Sequence, residues 1–313
     1  MAPSPAGPSL LNAIGNTPLV QLHSIVPASS ARVFLKLEYY NPSGSYKDRM
    51  ALSVIEGAER RGVLRPGMRV VEYTGGSTGS SLAMVCAVKG YRFTPVSSDA
   101  FAREKLETMR AFGAGLLLVP SEGGKITPAL FDRLKSRLAE EASQPGVFWA
   151  DQFHNDDALP GYAVMGEELL RQLGVGITAF CAAVGTGGML VGVSRALRAA
   201  KCGARIVALE PAESPLLTTG KGGAHRVEGV GVGFRPPHLR DSDYDEVRTV
   251  PEIAARAMAR RLAREEGVLA GTSTGLNVAA AVQLAAELGP QATVVTVACD
   301  SGLKYLAGDL YSA

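Results

Sequence analysis

The feature that most constrains the fold is a regular alternation, along nearly the whole chain, of short apolar runs with longer amphipathic segments. The short runs predict strands at residues 33–37, 69–72, 92–96, 115–119, 179–183, 205–210 and 293–298. The longer segments predict helices at residues 47–61, 80–89, 101–112, 126–142, 161–172, 190–200, 251–266 and 276–287. Strands joined by helices of this length pair in parallel through crossover connections. The sequence therefore predicts an α/β protein with doubly wound, mostly parallel sheets.

The length of the chain and one break in this alternation predict two lobes. The 313 residues exceed the usual size of a single small domain. Residues 142–157 interrupt the alternation with turn-forming polar residues, EASQPG and then HNDD. Ligands of open α/β sheets bind beyond the carboxyl ends of the strands, so we expect a binding cleft between the two lobes.

The composition excludes several classes of protein. Hydrophobic residues make up 46% and charged residues 20%, which is typical of a soluble globular protein. The net charge of +2, without a basic stripe, argues against a nucleic-acid partner. No apolar run is long enough to span a membrane, and the first nine residues do not resemble a signal peptide, so we expect a cytoplasmic protein. The four cysteines are far apart and form no CxxC pattern, so we expect neither a metal site nor disulfides.

Glycine is in excess, at 36 residues, and much of it lies in four clusters. These clusters are residues 74–79 (TGGSTG), 185–188 (GTGG), 229–233 (GVGVG) and 271–275 (GTSTG). Glycine lets the backbone approach a ligand closely, and the free N–H groups at the start of a helix bind anions. The first cluster suits a carboxylate and the second suits a phosphate, whereas the fourth alone also fits a simple helix cap.

Lys47 stands directly after the Pro/Gly/Ser loop NPSGSY, at the predicted start of a helix. The positive end of the helix dipole disfavours an ammonium group and so favours a neutral amine, which can form an imine. The segment alone also fits an ordinary surface lysine.

A second hypothesis for the glycine cluster at 185–188 is a dinucleotide site. Glu210 ends the next predicted strand, where a Rossmann dehydrogenase carries an acidic residue. The sequence GTGGML lacks the third glycine of GxGxxG in register, which weakens this alternative without removing it.

Seven segments, taken in order, resemble the pyridoxal-phosphate enzymes of the tryptophan synthase β fold, also called fold type II. The most similar members are the cysteine synthases, or O-acetylserine sulfhydrylases, and the related cystathionine β-synthases. The resemblance covers residues 11–306, and its segments are IGNTPLV (14–20), NPSGSYKDR (41–49), TGGSTG (74–79), GTGGM (185–189), VALEP (207–211), GVGVGF (229–234) and GTSTG (271–275).

The resemblance implies that two lobes have different roles. It implies a larger lobe, residues 1–45 and 156–313, that binds the cofactor phosphate. A smaller mobile lobe, residues 46–155, would carry the Schiff-base lysine and the loop that binds the substrate carboxylate.

The resemblance also implies roles for individual residues. Lys47 would hold pyridoxal 5'-phosphate as a Schiff base and move the α-proton of the substrate. The other residues implied to bind the cofactor are Ser77, Gly185, Thr186, Gly187, Gly188 and Ser273. The residues implied to bind the substrate are Thr74, Gly75, Thr78 and Gln152.

The chain departs from the usual cysteine synthase pattern at three positions. The loop that usually reads TSGNT reads TGGST here, so Gly75 replaces a serine and Ser77 replaces an asparagine. Met189 replaces the threonine that usually closes the phosphate loop. These departures remove hydrogen bonds near the reacting atoms, so they bear on the choice of substrate rather than on the fold.

The resemblance implies β-replacement on an activated serine such as O-acetylserine, through an aminoacrylate, with sulfide as the nucleophile and cysteine as the product. A serine at position 273 cannot keep the ring nitrogen protonated as an aspartate would, which favours loss of a β-substituent. Alternatives are a β-eliminating lyase of the cysteine desulfhydrase kind, a synthase of a non-protein amino acid, and a binding homologue without activity. Family members are usually homodimers, so the resemblance also implies a homodimer.

Overall fold

The computed structural model describes residues 8–312. The strands of this part of the chain are β1 (Leu19–Leu22), β2 (Arg32–Leu37), β3 (Arg69–Tyr73), β4 (Arg92–Ser98), β5 (Leu117–Val119), β6 (Val147–Trp149), β7 (Ala179–Ala183), β8 (Arg205–Pro211), β9 (Glu246–Val250) and β10 (Thr293–Ala298). The α-helices are α1 (Lys47–Arg60), α2 (Ser77–Lys89), α3 (Arg103–Ala111), α4 (Pro128–Ala142), α5 (Ala158–Leu173), α6 (Gly188–Ala199), α7 (Leu216–Thr219), α8 (Glu252–Glu265) and α9 (Thr272–Leu288). Short 3-10 helices lie at Leu10–Ala13, Glu38–Tyr40, Asp241–Asp243 and Gly302–Tyr305.

The predicted α/β architecture is confirmed, and every predicted strand and helix is present. Three strands, β1, β6 and β9, were not predicted. Each lies at an edge of its sheet and is only partly buried along most of its length. Edge strands bury less apolar surface than central strands, so their sequences carry a weaker hydrophobic signal.

The chain divides into two compact units. The smaller unit combines the described residues up to Ile14 with Lys47–Ala158. The larger unit combines Gly15–Tyr46 with the residues from Leu159 to the end of the described chain.

This division differs from the predicted lobes at the beginning of the chain. The prediction placed residues 1–45 in the larger lobe, whereas the residues up to Ile14 belong to the smaller unit. The reason is local packing, because the 3-10 helix Leu10–Ala13 contacts α2. The predicted limits of the smaller lobe, 46 and 155, become Lys47 and Ala158.

The larger unit is built on a six-stranded sheet in the order β1-β2-β10-β7-β8-β9. Strand β1 is antiparallel to β2, and the other pairs are parallel. Strands β7 and β10 are central and fully buried, which explains why they read as continuous apolar runs. The alanine-rich helix α9 packs on β10 and β7 and completes the core of this unit.

The smaller unit has a parallel four-stranded sheet in the order β5-β4-β3-β6. Helix α4 covers one face of this sheet with Leu130, Leu134 and Leu138, which recur every four residues and pack on Val71 and Val96. In the register of β3 and β6, Val71 lies opposite Trp149. The segments that follow these two strands therefore leave the sheet side by side.

Candidate active site

Three of the glycine clusters continue from a loop into the first turn of a helix. Helices α2, α6 and α9 begin at Ser77, Gly188 and Thr272, where the sequence analysis predicted residues 80, 190 and 276. The prediction was wrong at these ends because glycine and hydroxyl residues carry no apolar periodicity. The residue directly before each of these helices is a glycine, which has no side chain that could accept a hydrogen bond from the first N–H groups of the helix. Such N–H groups can bind an anion.

Lys47 is the first residue of α1, as predicted, and its side chain is buried, with 8% exposed. The loop before it is fixed to the segment that follows β10. Tyr46 donates its N–H to the carbonyl oxygen of Cys299 at 3.0 Å, and Ser301 donates its N–H to the carbonyl oxygen of Gly44 at 3.0 Å. These two bonds fix the backbone from which Lys47 continues.

Tyr162, on α5, connects this loop with the predicted phosphate loop, and its side chain is only 1% exposed. Its ring centroid lies 5.7 Å from that of Tyr46. A Cβ added to Gly188 would lie 3.1 Å from a carbon of the same ring. The residue before Lys47 and the first residue of α6 therefore pack on one buried ring. Tyr162 was not predicted as a site residue, because nothing in the sequence distinguishes it from any other aromatic residue of an amphipathic helix.

The predicted phosphate loop follows β7 and is built from backbone. Gly185 packs so tightly on the carbonyl oxygen of Gly229 that it has no room for a side chain. Gly187 has a φ of +81°, which favours glycine, and it directly precedes α6. Gly231 donates its N–H to the carbonyl oxygen of Val184 at 3.0 Å and holds the neighbouring loop in place. The result is a narrow cradle at a helix N-terminus that fits a phosphate dianion.

Ser273 lies in the first turn of α9 and is 5% exposed. The threonines on either side of it are used by the fold. Thr272 Oγ1 accepts the N–H of Glu228 at 3.0 Å, and Thr274 Oγ1 accepts the N–H of Cys299 at 2.9 Å. Within residues 8–312, Ser273 is therefore the hydroxyl of this turn that the hydrogen bonding of the fold leaves for a ligand.

Asn277, one turn further along α9, is fully buried and was also missed by the sequence analysis. Its Oδ1 accepts the N–H of Ala183 at 2.7 Å, and its Nδ2 donates to the carbonyl oxygen of Val297 at 2.8 Å. These bonds fix the start of α9 to the carboxyl ends of β7 and β10. The phosphate loop and Ser273 therefore lie at the same edge of the larger sheet.

The residues predicted to bind the substrate carboxylate lie together in the smaller unit. Thr74 and Gln152 follow the neighbouring strands β3 and β6, and both are buried. Thr78 Oγ1 donates to Gln152 Oε1 at 2.7 Å, so the amide N–H groups of Gln152 remain available as donors. Thr74 Oγ1 accepts the N–H of Gly76 at 3.2 Å, which leaves its own hydroxyl hydrogen free to donate. The group can therefore present several donors to one carboxylate.

Gly75 has a partner that the sequence did not predict. The ring of Phe101 occupies the space that a Cβ on Gly75 would need. The φ of Gly75 is not in the left-handed region, so the contact with the ring alone excludes a side chain. The departure from serine at position 75 is thus matched by an aromatic residue at position 101.

Glu72 lies within β3, next to its last residue, and is the charged residue closest in sequence to the loop that contains Thr74. Its side chain is fully buried, and burial raises its pKa to about 8, with a further contribution from the charge of Asp151. Hydrogen bonds from the N–H groups of Gln152 and Tyr73 act in the opposite direction. The sequence contained a signal for Glu72, since a carboxylate directly after Val70 and Val71 is rarely buried without a specific reason.

Glu210 does not fit the dinucleotide hypothesis. Its carboxylate is 3% exposed and accepts the N–H groups of Leu217 at 2.7 Å and Thr218 at 3.0 Å. It also accepts the hydroxyl of Thr218 at 2.6 Å. A carboxylate occupied in holding the short helix α7 is not available to bind a ribose.

In residues 8–312, the helices fall short of the length and apolar character needed to cross a membrane. The same residues contain no group of three or more His, Cys, Asp or Glu side chains that could hold a metal ion. All four cysteines are buried free thiols.

Comparison with known proteins identifies the family. The family model described as pyridoxal-phosphate dependent enzyme matches residues 10–300. A cysteine synthase of Staphylococcus aureus is 43% identical over 301 residues, covering 96% of this chain and 95% of that protein. An O-ureido-L-serine synthase of Streptomyces lavendulae is 40% identical over 311 residues, covering 97% of this chain and 92% of that protein. The crystal structure of a cysteine synthase from Entamoeba histolytica has a TM-score of 0.90 and 33% identity, covering 98% of this chain and 92% of that one.

These similarities agree with the residues present. A side-chain-free cradle suits the cofactor phosphate, a buried serine at a helix start suits the ring nitrogen, and a buried lysine at a helix start suits the aldehyde. The chain is an enzyme of fold type II that uses pyridoxal phosphate, and it belongs to the family of pyridoxal-phosphate-dependent enzymes that includes the cysteine synthases.

Proposed function

We propose that the protein catalyses β-replacement on an activated serine, with O-acetyl-L-serine as the donor and sulfide as the nucleophile. The products are L-cysteine and acetate. The observation that carries this proposal is the position of Lys47. It is buried at the first position of α1, directly after Tyr46, which shares the ring of Tyr162 with Gly188 of the phosphate loop.

Lys47 has the central role in the proposed reaction. When bound, pyridoxal phosphate withdraws electrons from the α-carbon of an amino acid, so that the α-proton is lost easily and a β-substituent can leave. Lys47 holds the cofactor through its amine, removes the α-proton at Nζ and returns it after the nucleophile has added. The start of α1 supports this role, because the helix dipole favours the neutral amine.

The residues of the larger unit bind the two ends of the cofactor. The N–H groups of Gly185, Thr186, Gly187 and Gly188 receive the phosphate, supported by the dipole of α6. Ser273 hydrogen-bonds the ring nitrogen. A neutral hydroxyl does not protonate this nitrogen fully, and the weaker electron withdrawal favours expulsion of a β-leaving group over transamination.

The residues of the smaller unit orient the substrate. Thr74 donates its hydroxyl, Gln152 donates its amide, and the N–H groups at the start of α2 complete the carboxylate site. Thr78 gives its hydroxyl hydrogen to Gln152, so its side chain supports the site by orienting that amide. Gly75 contributes backbone only, and Ser77 stands where the family binds the ring hydroxyl of the cofactor.

The test is a visible absorbance spectrum of the purified protein, titrated with O-acetyl-L-serine and then with sulfide. We expect the absorbance of a bound aldehyde cofactor, a change on adding the donor, and recovery with release of cysteine on adding sulfide. The Lys47→Ala variant is expected to lose the lysine-linked absorbance and the activity. Release of pyruvate and ammonia at the same rate with and without sulfide would contradict replacement and favour the β-eliminating alternative.

A second candidate function uses an oxygen nucleophile. The similarity to an O-ureido-L-serine synthase, 40% identical over 97% of this chain, supports it. Hydroxyurea and O-acetyl-L-serine would then give O-ureido-L-serine and acetate. Competition between sulfide and hydroxyurea in one reaction, with both products quantified by mass spectrometry, decides between the two nucleophiles.

We also propose that the protein is a cytoplasmic homodimer that binds neither nucleic acid nor a membrane. The resemblance to cysteine synthases supports the dimer, and the small net charge of +2 supports the absence of a nucleic-acid partner. Light scattering coupled to gel filtration tests the dimer. A monomeric mass that persists at micromolar concentrations would contradict it.

A further inference from the structure

Glu72 has an unusual environment for a carboxylate. It lies within β3 after two buried valines, and its side chain is 0% exposed. Two backbone N–H groups bond to it. Tyr73 donates its backbone N–H to Oε1 at 3.0 Å, and Gln152 donates its backbone N–H to Oε2 at 3.1 Å.

This carboxylate is costly to bury. In the described part of the chain, no lysine, arginine or histidine forms an ion pair with Glu72. A buried carboxyl group without a cation disfavours folding, whether it stays charged or takes up a proton, unless hydrogen bonds compensate for the lost water. An apolar residue at this position, next to Val70 and Val71, would cost less free energy to bury. The presence of Glu72 therefore requires an explanation.

The bond to Gln152 supplies one. The preceding residue, Asp151, has a φ of +47°, a left-handed conformation that residues other than glycine rarely adopt. This conformation turns the chain after β6 so that the N–H of Gln152 meets Glu72. Gln152 then accepts the hydroxyl of Thr78 through Oε1 at 2.7 Å. One continuous chain of bonds thus runs from Glu72 through Gln152 to the start of α2.

We propose that Glu72 is a positioning residue for the substrate carboxylate and acts through Gln152. It fixes the backbone of Gln152, and that backbone fixes the direction in which the side-chain amide donates. Glu72 does not touch the substrate. This inference rests on the proposed function, because it assumes that Gln152 binds the carboxylate of an amino acid.

The test measures binding of two amines that differ in the carboxylate. L-Alanine and ethylamine are titrated against the holoenzyme, and the change in cofactor absorbance gives a dissociation constant for each. Neither compound has a β-leaving group, so the measurement does not depend on the synthase reaction. A failed cysteine assay and a failed positioning role are therefore distinguishable.

We expect Glu72→Gln to weaken L-alanine about tenfold and to change ethylamine less than twofold, because the glutamine amide turns a donor toward an N–H group. The matched control is Glu141→Gln, which removes a buried carboxylate of the same unit that is bonded to Arg69 and Arg137 instead. The control is expected to leave both dissociation constants within twofold of the unmodified protein.

A double-mutant cycle separates positioning from a general structural role. In a Gln152→Ala background, Glu72→Gln is expected to add less than twofold to the dissociation constant of L-alanine. An equal loss in both backgrounds, or an equal loss for ethylamine, would overturn the proposal. If Glu72→Gln does not fold, Glu72→Asp carries the same comparison, since its shorter side chain withdraws the carboxyl group from Gln152 and keeps the same ionisable group.

Discussion

The carbonyl oxygen of Gly229 packs on Gly185 where any other residue would place its Cβ. Gly185→Ala must therefore move the phosphate loop or the loop that contains Gly229. We expect this variant to bind pyridoxal phosphate at least about tenfold more weakly, because the N–H groups of the cradle no longer converge on the phosphate. The measurement is the dissociation constant of the cofactor, obtained by absorbance titration of the resolved apoenzyme.

Gly176→Ala is the matched control for this prediction. Gly176 belongs to the same unit and has no atom within 4 Å of an added Cβ, so alanine fits there without displacement. Cofactor affinity should be unchanged in the control. Equal affinity in Gly185→Ala and the unmodified protein would show that the contact with Gly229 does not shape the cradle.

The contact between Gly75 and Phe101 predicts a pair of compensating substitutions. Gly75→Ser restores the residue typical of cysteine synthases, but its side chain collides with the Phe101 ring. We expect this variant to raise the KM for O-acetyl-L-serine several-fold, because the loop that contains Thr74 must shift. Adding Phe101→Ala to Gly75→Ser removes the collision and should recover most of the loss. Steady-state kinetics of both variants test this, and a double variant no better than Gly75→Ser would contradict it.

Asn277 predicts a loss of stability. Asn277→Ala leaves the N–H of Ala183 and the carbonyl oxygen of Val297 without partners in a fully buried position. We expect the free energy of unfolding to fall by roughly 2–4 kcal/mol, measured by urea denaturation. Asn277→Asp retains the acceptor for Ala183 but places a carboxylate oxygen against the Val297 carbonyl, so it should also destabilise. A loss below roughly 0.5 kcal/mol for Asn277→Ala would show that water replaces these bonds.

Glu72 predicts a dependence of stability on pH. Burial raises its pKa from 4.5 to about 8 in the folded protein. Between these values the folded state holds a proton that the unfolded state has released, so the free energy of unfolding falls as pH rises from about 4.5 to about 8. The contribution of one such group is at most about 1.4 kcal/mol per pH unit. Urea denaturation of the holoenzyme at several pH values measures the slope, which should be shallower in Glu72→Gln. Identical slopes in the two proteins would contradict the raised pKa.

The sequence predicted the central elements of the fold better than the edges. Strands β7 and β10 are buried on both faces, so burial alone dictates their composition, and their predicted limits are those observed. Strand β9, at the edge of the same sheet, contains three polar residues among five and is mostly only partly buried. It was not predicted. The first turns of α2, α6 and α9 were missed because glycine and hydroxyl residues stand there in place of the apolar residues that give a helix its hydrophobic period.

The residues of the candidate site could also be predicted only in part from the sequence. Lys47, Ser273 and the two glycine-rich segments stand out in the sequence because their residue types suit a specific chemistry. Tyr162, Phe101 and Asn277 do not, because their importance comes from neighbours that are distant in sequence. Only the structure joins Tyr46 and Gly188 through one ring, or Gly75 and Phe101 through one contact.

The pairing of β2 with β10 affects the order in which the chain folds. In this register Arg32 lies opposite Thr293, so the central sheet of the larger unit cannot close until β10 has left the ribosome. Most of the smaller unit, Lys47–Ala158, is contiguous and available much earlier. Closing so long a loop is entropically costly and slow, so the nascent chain would hold β2 paired with β1 but without β10 after residues 47–158 have been made. Chaperone dependence during synthesis should therefore fall on Gly15–Tyr46 rather than on the segment that carries Lys47.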